Sequence, residues 1–512
     1  MPDICIGGRS EAERCAIRSS PPAGMTLPHA IFRLLGSTLL ACVMFAGHAG
    51  APSAQILDIE EEPEDEAQRV TGRLSIGVGV AKLAEDWYFA MQPGFNLRVS
   101  GLTIAREGQV FDEDQTHNLR FSFRVPLRFR LSDRDPKDDL GTFRTADWDE
   151  PIEFVRILRR VIYGAPYAGV YFSGGRLSDV RIGHRTIVDS YSNTLDLDHF
   201  QWGFHSAVNT VYGGGEVFVD NLGDPDLIGM RIYARPAAFV DRTSYWSRFA
   251  VGMSLIADTD APVALEYDEL GRDYRIEGGE FVELASTTAG IWGLDVEFAL
   301  EANERVTMTP YMDANVHLGS GAGWHIGTFF GVNIQDQAVL DLRAEYRLLG
   351  PGYLPGYFSP LYEVERWSYL QFNERERELP KAAWIRDSRL RLRSGYLAEI
   401  GLNVRSKLYL SGTWEDAGGI DNNSAWIQVR MPAWNRVQFG ALWANTRFDG
   451  ARELFDLQHS LATFEVRVLT VKFLYVEAQV NRRWQLVETR PGFGRFRPVD
   501  DFAFGAGLTW GF

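Results

Sequence analysis

In three stretches of this chain, arginines share one parity of position. Arg120, Arg124, Arg128 and Arg130 lie in His117–Ser132, Arg343 and Arg347 in Ala338–Leu348, and Arg389, Arg391 and Arg393 in Ser388–Val404. Alternate side chains of an extended chain point to one face, so each stretch would carry a row of guanidinium groups. Such rows offer forked donors to carboxylates and phosphates and favour small anionic solutes. Acids of matching parity, among them Asp341, Glu345 and Glu399, support a second reading in which neighbouring strands neutralise the arginines.

Other reactive side chains form weaker constellations. His184, His199 and His205 lie near Ser190, Ser192 and Ser206, and a lipid hydrolase would need Ser beside an oriented His. His205 and Ser206 are adjacent, however, and in a strand they point to opposite faces. Asp220, Asn221, Asp224 and Asp226 could offer oxygens to Ca²⁺, but such residues make turns without any ion, and no metal site is expected. No phosphate-cradling glycine loop, metalloprotease helix or dinucleotide fingerprint occurs, so no cofactor is expected. Cys5, Cys15 and Cys42 are the only cysteines, which excludes thiol chemistry and disulfides from the rest of the chain. A net charge of −16 disfavours nucleic acid as a partner.

Rows of this kind require long strands. In His117–Ser132, Leu119, Phe121, Phe123, Val125, Leu127, Phe129 and Leu131 take the parity opposite to the arginines, giving one apolar and one cationic face. Pro126 inside this stretch predicts a bulge. The alternation recurs in Trp246–Asp258, Ala338–Leu348, Ser388–Val404 and many other segments. With 32 Phe, 19 Tyr and 14 Trp but a mean hydropathy of −0.17, the chain is polar on average yet rich in aromatics. That combination arises when the lumen-facing half of each strand masks a lipid-facing half. Beyond residue 54 no run of about 18 apolar residues exists, so a membrane could be crossed only by a closed barrel.

Residues 1–54 read as a cleaved secretory signal, with Met25 as a plausible start, Arg33, the apolar run Leu34–Ala46 and small residues up to Ala54. Residues 55–71, with the acidic run Ile59–Glu66, read as a solvated tail, and 72–512 as the barrel. Connections alternate between long and tight going back from the C-terminus. Val487–Asp501, Gly450–Ser460, Gly350–Asp387 and Thr259–Ala289 are long, whereas those near Val471, Pro432–Asn435 and Gln335–Gln337 are short. The alternation fails between Asp133 and Asp198. Even parity then requires one insertion at 133–198, giving about 18 strands, or a hairpin within it, giving about 20. The expectation is an all-β, antiparallel up-and-down transmembrane barrel of about 18 strands, within roughly 16 to 20. The insertion would carry a short helix, capped by Asp149 and Pro151, with Phe154, Ile157, Leu158, Val161 and Ile162 on one face. At this size the interior holds a channel or a plug.

The chain stops on a strand in which Phe502, Phe504, Ala506, Leu508, Trp510 and Phe512 share one parity. This end resembles the last strand of Gram-negative outer-membrane β-barrels. The resemblance implies that Phe504, Leu508, Trp510 and Phe512 form the signal read by the barrel-assembly machinery. It further implies an outer-membrane location with lipid as a partner. By resemblance to porins, segment 133–198 would be a constriction loop in the lumen; a helix at the barrel rim is the other reading. The function expected is a porin-like channel, not an enzyme, for diffusion or uptake of small, anionic solutes. The alternatives are a plugged structural or interaction barrel presenting the loops at Thr259–Ala289 and Gly350–Asp387, and a lipid-acting barrel enzyme using Ser206 and His205.

Overall fold

The computed structural model describes residues 70–511 apart from short stretches, the longest being 104–115, 133–141, 194–200 and 370–378. The signal segment, most of the acidic tail, His199, Arg389 and Phe512 lie outside the described residues. The alternating segments form antiparallel neighbours in one sheet, and the last strand pairs with the first, Lys82 to Phe502 through Arg73 to Gly511.

Among the described residues twenty strands make this ring. They are β1 (Val70–Leu83), β2 (Asp86–Thr103), β3 (Thr116–Arg124, continued by Leu127–Ser132), β4 (Leu158–Tyr163), β5 (Val170–Gly175), β6 (Gly203–Thr210) and β7 (Gly213–Val219). Then follow β8 (Leu227–Ala234), β9 (Phe249–Leu265), β10 (Glu283–Phe298), β11 (Val306–His317), β12 (Ala322–Ile334), β13 (Ala338–Leu349) and β14 (Arg393–Val404). The ring is completed by β15 (Leu408–Asp416), β16 (Asn423–Trp434), β17 (Val437–Phe448), β18 (Ser460–Val471), β19 (Leu474–Arg490) and β20 (Phe493–Gly511). The expected parity and antiparallel closure are present, but the preferred count of 18 gives way to the hairpin alternative.

That hairpin is β4–β5, which pairs Arg160 with Gly175 and Tyr163 with Phe172. It overturns the predicted helix. Pro151–Ile157 is a 3₁₀ turn, and Leu158, Val161 and Ile162 belong to a strand. The apolar spacing there fitted both periods, and the β-branched Val161 and Ile162 extend where β3 offers an open edge. Two further expectations change. Pro126 interrupts pairing without a bulge, since Gly94↔Arg124 and Met91↔Leu127 keep one register. The stretch from Val487 to Asp501 is not a long loop but the upper part of the β19–β20 hairpin, turning at Pro491–Gly492.

The two faces of the wall differ in polarity. Leu74, Ile76 and Val78, Ile228, Met230 and Ile232, and Val251, Met253 and Leu255 point outward and are exposed. As isolated patches these would drive aggregation; as a ring around a closed barrel they are a lipid-facing band. Tyr346, Tyr396 and Trp324 flank the band towards the long-loop end, and Tyr245 and Trp246, packed on Phe298, towards the short-turn end. Phe504, Leu508 and Trp510 are outward as well. Among the described residues no helix is long and apolar enough to cross a membrane.

The largest apolar core lies inside the barrel. Residues 176–193, which follow β5, and residues 350–369 and 379–387, which follow β13, fold inward from the long-loop end. Leu177, Val180, Ile182, Ile187, Val188 and Tyr191 of the first loop pack with Leu354, Tyr357, Phe358, Tyr362 and Ile385 of the second. Phe218, Leu227, Ile256 and Ile291 supply inward-facing wall to the same cluster. Backbone bonds join the loops, from Phe358 N to Ile187 O at 3.1 Å and from Asp189 N to Phe358 O at 3.2 Å. Burying about ten large apolar side chains stabilises this docking by 1.5–3 kcal/mol each before entropy is counted.

Candidate functional site

The first loop crosses the lumen and is fastened at successive points to the wall. Its backbone is tightly coiled: Asp179, Arg185 and Ser190 have φ of 82°, 65° and 56°, three of the four described non-glycine residues with positive φ. Left-handed conformations at such residues cost energy and persist where side-chain contacts over-determine them. Gly183, at φ 53°, lies where an added Cβ would meet Arg231 Cδ at 2.8 Å, and a Cβ on Gly293 would meet Asn315 Oδ1 at 2.5 Å and Ile187 at 2.9 Å. Glycine at these two positions lets the loop approach the β8 and β10 walls.

His184 forms the tip. Its Nδ1 is 2.7 Å from Asp313 Oδ1, its Nε2 is 2.8 Å from Glu297 Oε2, and its ring stacks on Tyr311 at 4.4 Å. Burial alone would lower the imidazole pKa, but Asp313 and Glu297 outweigh it and raise it to about 10. The ring is therefore an imidazolium donating from both nitrogens at neutral pH. Thr186 Oγ1 donates to Asp313 Oδ2 at 2.6 Å. Arg185 donates to both oxygens of Glu399, at 3.1 and 2.5 Å, and Arg343 Nη1 donates to Asp189 Oδ2 at 3.0 Å. Arg181 Nε donates to Asp179 Oδ1 at 2.8 Å. The loop thus spans from β10 to β14 by charge-assisted bonds.

Two cavities lie along it. A vestibule of about 490 Å³ opens towards the short-turn end beneath the loop, with Arg231, Arg235, Tyr233, Thr309 and Asp341 in its walls. A slot of about 90 Å³ lies between the two loops and β15–β18, bounded by Arg347, Glu415, Gln428 and Arg430. Arg181, Arg185 and Glu399 line both, so the two spaces meet at these side chains.

The predicted arginines fall into distinct environments. Arg343 and Arg347 face the lumen but are sealed: Arg343 Nη2 reaches Glu345 at 2.8 Å, Arg347 bonds Glu345, and Arg347 Nη1 reaches Glu415 at 2.5 Å. Here the neutralised reading is the one realised. Arg393 donates to the carbonyls of Ala417 and Tyr353, and Arg391 is exposed beyond the end of β14. Arg120, Arg124, Arg128 and Arg130 take inward positions on β3, opposite Arg98, Gly94, Ala90 and Tyr88 of β2. Arg130 lies 3.4 Å from Asp86. Arg160 of β4 continues this wall across from Ser122.

Sequence reasoning missed Arg98 and Arg160, and Arg181 and Arg185 of the constricting loop. Arg160 was hidden by the helical reading. Arg98 shares the parity of Asn96 on a strand with no second arginine nearby to flag it. Arg181 and Arg185 lie in a short loop, where no periodicity marks a face. The other described candidates are engaged in local contacts. His205 packs on Tyr171 at 5.2 Å, and Ser206 Oγ donates to the Tyr171 carbonyl at 3.0 Å. Asn221 Oδ1 accepts from Gly223 N at 3.1 Å as a turn residue, and no metal-binding cluster of His, Cys, Asp or Glu occurs among the described residues.

No protein-family model matches the sequence, and no curated protein does. Among solved structures the chain is similar to OccAB4 of Acinetobacter baumannii, with 7% identity and a TM-score of 0.31 over 88% of this chain and 100% of that one. It is similar to OccK11 (OpdR) of Pseudomonas aeruginosa, with 9% identity and a TM-score of 0.31 over 89% and 98%. A mutant of the Rh. blastica porin gives 9% identity and a TM-score of 0.24 over 86% and 99%. Likeness this distant says nothing about solutes. The barrel's own closure, even parity, apolar outer band and polar, loop-narrowed lumen place it among porin-like β-barrels of the outer membrane.

Proposed function

We propose that this protein is a channel for small anionic solutes, narrowed by the loop at 176–193. The observation that carries the reading is the run of inward guanidinium groups on β2–β4, Arg98, Arg120, Arg124, Arg128, Arg130 and Arg160. Guanidinium groups recognise carboxylates and phosphates through paired donors and raise the local anion concentration. Planar-bilayer recording in a salt gradient tests it. The expected result is steady conductance with a reversal potential on the anion side; folded protein without conductance, or with cation preference, overturns it.

The two loops sharing one apolar core favour a second reading, a plugged barrel that presents its long loops. That reading expects silence in the bilayer until residues 177–192 are replaced by a short linker. For biogenesis, Phe504, Leu508 and Trp510, together with Phe512, would serve as the signal for the assembly machinery. Changing Trp510 and Phe512 to Ala is expected to lower the amount of heat-modifiable barrel in the outer membrane.

A further inference from the structure

The loops meet the wall at a seam that holds many carboxyls. Asp220 directly follows β7 and is 1% exposed. Its carbonyl takes Asn193 Nδ2 of the first loop at 2.7 Å, and its carboxyl accepts from the Asn221 and Leu227 amides, while its Oδ1 has no hydrogen-bond partner. Glu363, on the short helix α1 (Tyr362–Glu365) of the second loop, interacts with it electrostatically. Glu363 accepts the Tyr191 hydroxyl at 2.5 Å and Gln201 Nε2 at 3.4 Å. One hydroxyl of the first loop, one carboxyl of the wall and one of the second loop therefore converge.

The other groups facing this seam are mostly acidic. Arg366, one residue beyond α1, reaches Asp226 at 3.0 Å, Asp258 at 3.4 Å and the Asp260 carbonyl at 3.2 Å. Tyr362 donates to Asp258 Oδ2 at 2.6 Å, and Glu283 borders the same guanidinium. Asp220 is buried and Glu363 half-buried, and two such carboxyls whose nearest guanidinium is bound to Asp226 and Asp258 resist double ionisation. A proton on Asp220 removes one charge and turns its unpartnered oxygen into a donor. In keeping with this, burial, then Glu363, raises the Asp220 carboxyl to about 8, and burial raises Glu363 as well.

We propose that a proton held by the Asp220–Glu363 pair latches both folded-in loops to the wall, so that rising pH loosens them and widens the passage. This rests on the channel reading for its consequence, not for the latch itself. For a carboxyl whose docked pKa is raised, docking is strongest below the ordinary carboxylate range and weakens as pH rises towards about 8. Between about pH 4.5 and pH 5.5 the imidazolium of His184 stays charged whether docked or free, so the slope in this window belongs to the carboxyls.

Hydrogen exchange of residues 176–193 and 350–369 in the folded, full-length protein, corrected for the intrinsic rate, tests the latch beside conductance over that window. Uptake of one proton on docking predicts about tenfold faster opening per pH unit and a parallel rise in conductance. Asp220→Asn, which keeps a neutral side chain, is expected to hold protection at its acid level throughout; Glu363→Gln does the same if the first variant fails to give a heat-modifiable barrel. Wild-type exchange without excess pH dependence, or a variant that follows the wild-type slope, overturns the latch. Exchange that behaves as stated in protein that never conducts upholds the latch and removes the channel reading.

Discussion

Two walls of the same lumen carry arginine and answer its charge differently. On β13, Arg343 and Arg347 flank Glu345 and are 2% and 1% exposed, each also held by a carboxylate from elsewhere, Asp189 of the loop or Glu415 of β15. On β2–β4, Arg98 and Arg120 are directly opposed across the ladder and half-buried. Like charges opposed in this way destabilise a strand pair unless neighbouring groups offset them. The comparison sets arginines sealed in a carboxylate network beside the half-buried Arg98 and Arg120.

The largest expected effect breaks the first wall. Glu345 Oε2 accepts from Tyr311 and Arg343 and Oε1 from Arg347, while Oε1 also lies 2.9 Å from His325 Nδ1. Glu345→Ala takes the shared carboxylate from two buried guanidinium groups and leaves Arg343 with Asp189 and Arg347 with Glu415, a break in a buried ion network that costs roughly 3–5 kcal/mol. The expected outcome is loss of heat-modifiable barrel, or a midpoint in urea lowered accordingly. A variant as stable as the parent would show that Glu345 does not hold this wall.

Removing His184 acts one step further from the wall. His184→Ala leaves Asp313 and Glu297 to the remaining partners and is expected to free the loop, giving a larger and noisier conductance in a barrel that still folds. The pH course carries its own sign. Because the imidazole pKa is raised to about 10, the stability it adds to the docked loop is complete below its ordinary value of about 6.5 and is lost as pH rises through about 10. Protease resistance of residues 176–193 should decline over that interval in the parent and lose this component in His184→Ala. Equal alkaline slopes in the two proteins would remove the imidazolium from the account.

How much of this was legible in the sequence follows from the same contrast. Strand parity is a local property, so the outward Leu74, Ile76, Val78, Phe504 and Leu508 and the inward arginines of β3 and β13 could be read directly. The closed barrel followed from the recurring alternation and the last strand, whereas even parity came from the rule for such barrels, because the connection lengths lost their alternation between Asp133 and Asp198. The neutralisation of Arg343 was legible through the acids of matching parity such as Glu345, but its second partner Asp189 was not, because it is 154 residues away in a loop with no periodic pattern. The constricting loop was assigned to the right segment but the wrong part of it. Pro151 and the 3.6-residue spacing drew attention to 151–162, whereas the lumen is crossed by 176–193, whose fold depends on Gly183, positive φ at three other residues and contacts with β8 to β14. The latch at Asp220 was read as a turn, because Glu363 lies 143 positions further along the chain.

A third change sharpens the second wall. Arg98→Ala and Arg120→Ala each remove one inward charge from β2 and β3 and leave His184, Arg185 and Arg343 of the loop network in place. A unit charge about 4 Å from a solute in water is worth about 1 kcal/mol, so each substitution should lower the anion-over-cation permeability ratio by roughly fivefold. The shift should fade at high salt as the Debye length shrinks. An unchanged ratio at low salt would mean that permeating ions do not pass this wall, and the anionic assignment would fall with it.

The smallest expected effect checks that the two walls are separable. Thr186 Oγ1 donates to Asp313 and accepts from Asn315 Nδ2 at 3.0 Å, on the constriction side alone. Thr186→Val keeps the shape and removes both bonds, which should weaken loop docking by about 1 kcal/mol and speed exchange there by roughly fivefold. Because Asp313 keeps its bond to His184, the loop stays in place and ion selectivity should not move. A change in selectivity of the size produced by Arg98→Ala would mean that the loop, and not the β2–β4 wall, sets the charge preference of the lumen.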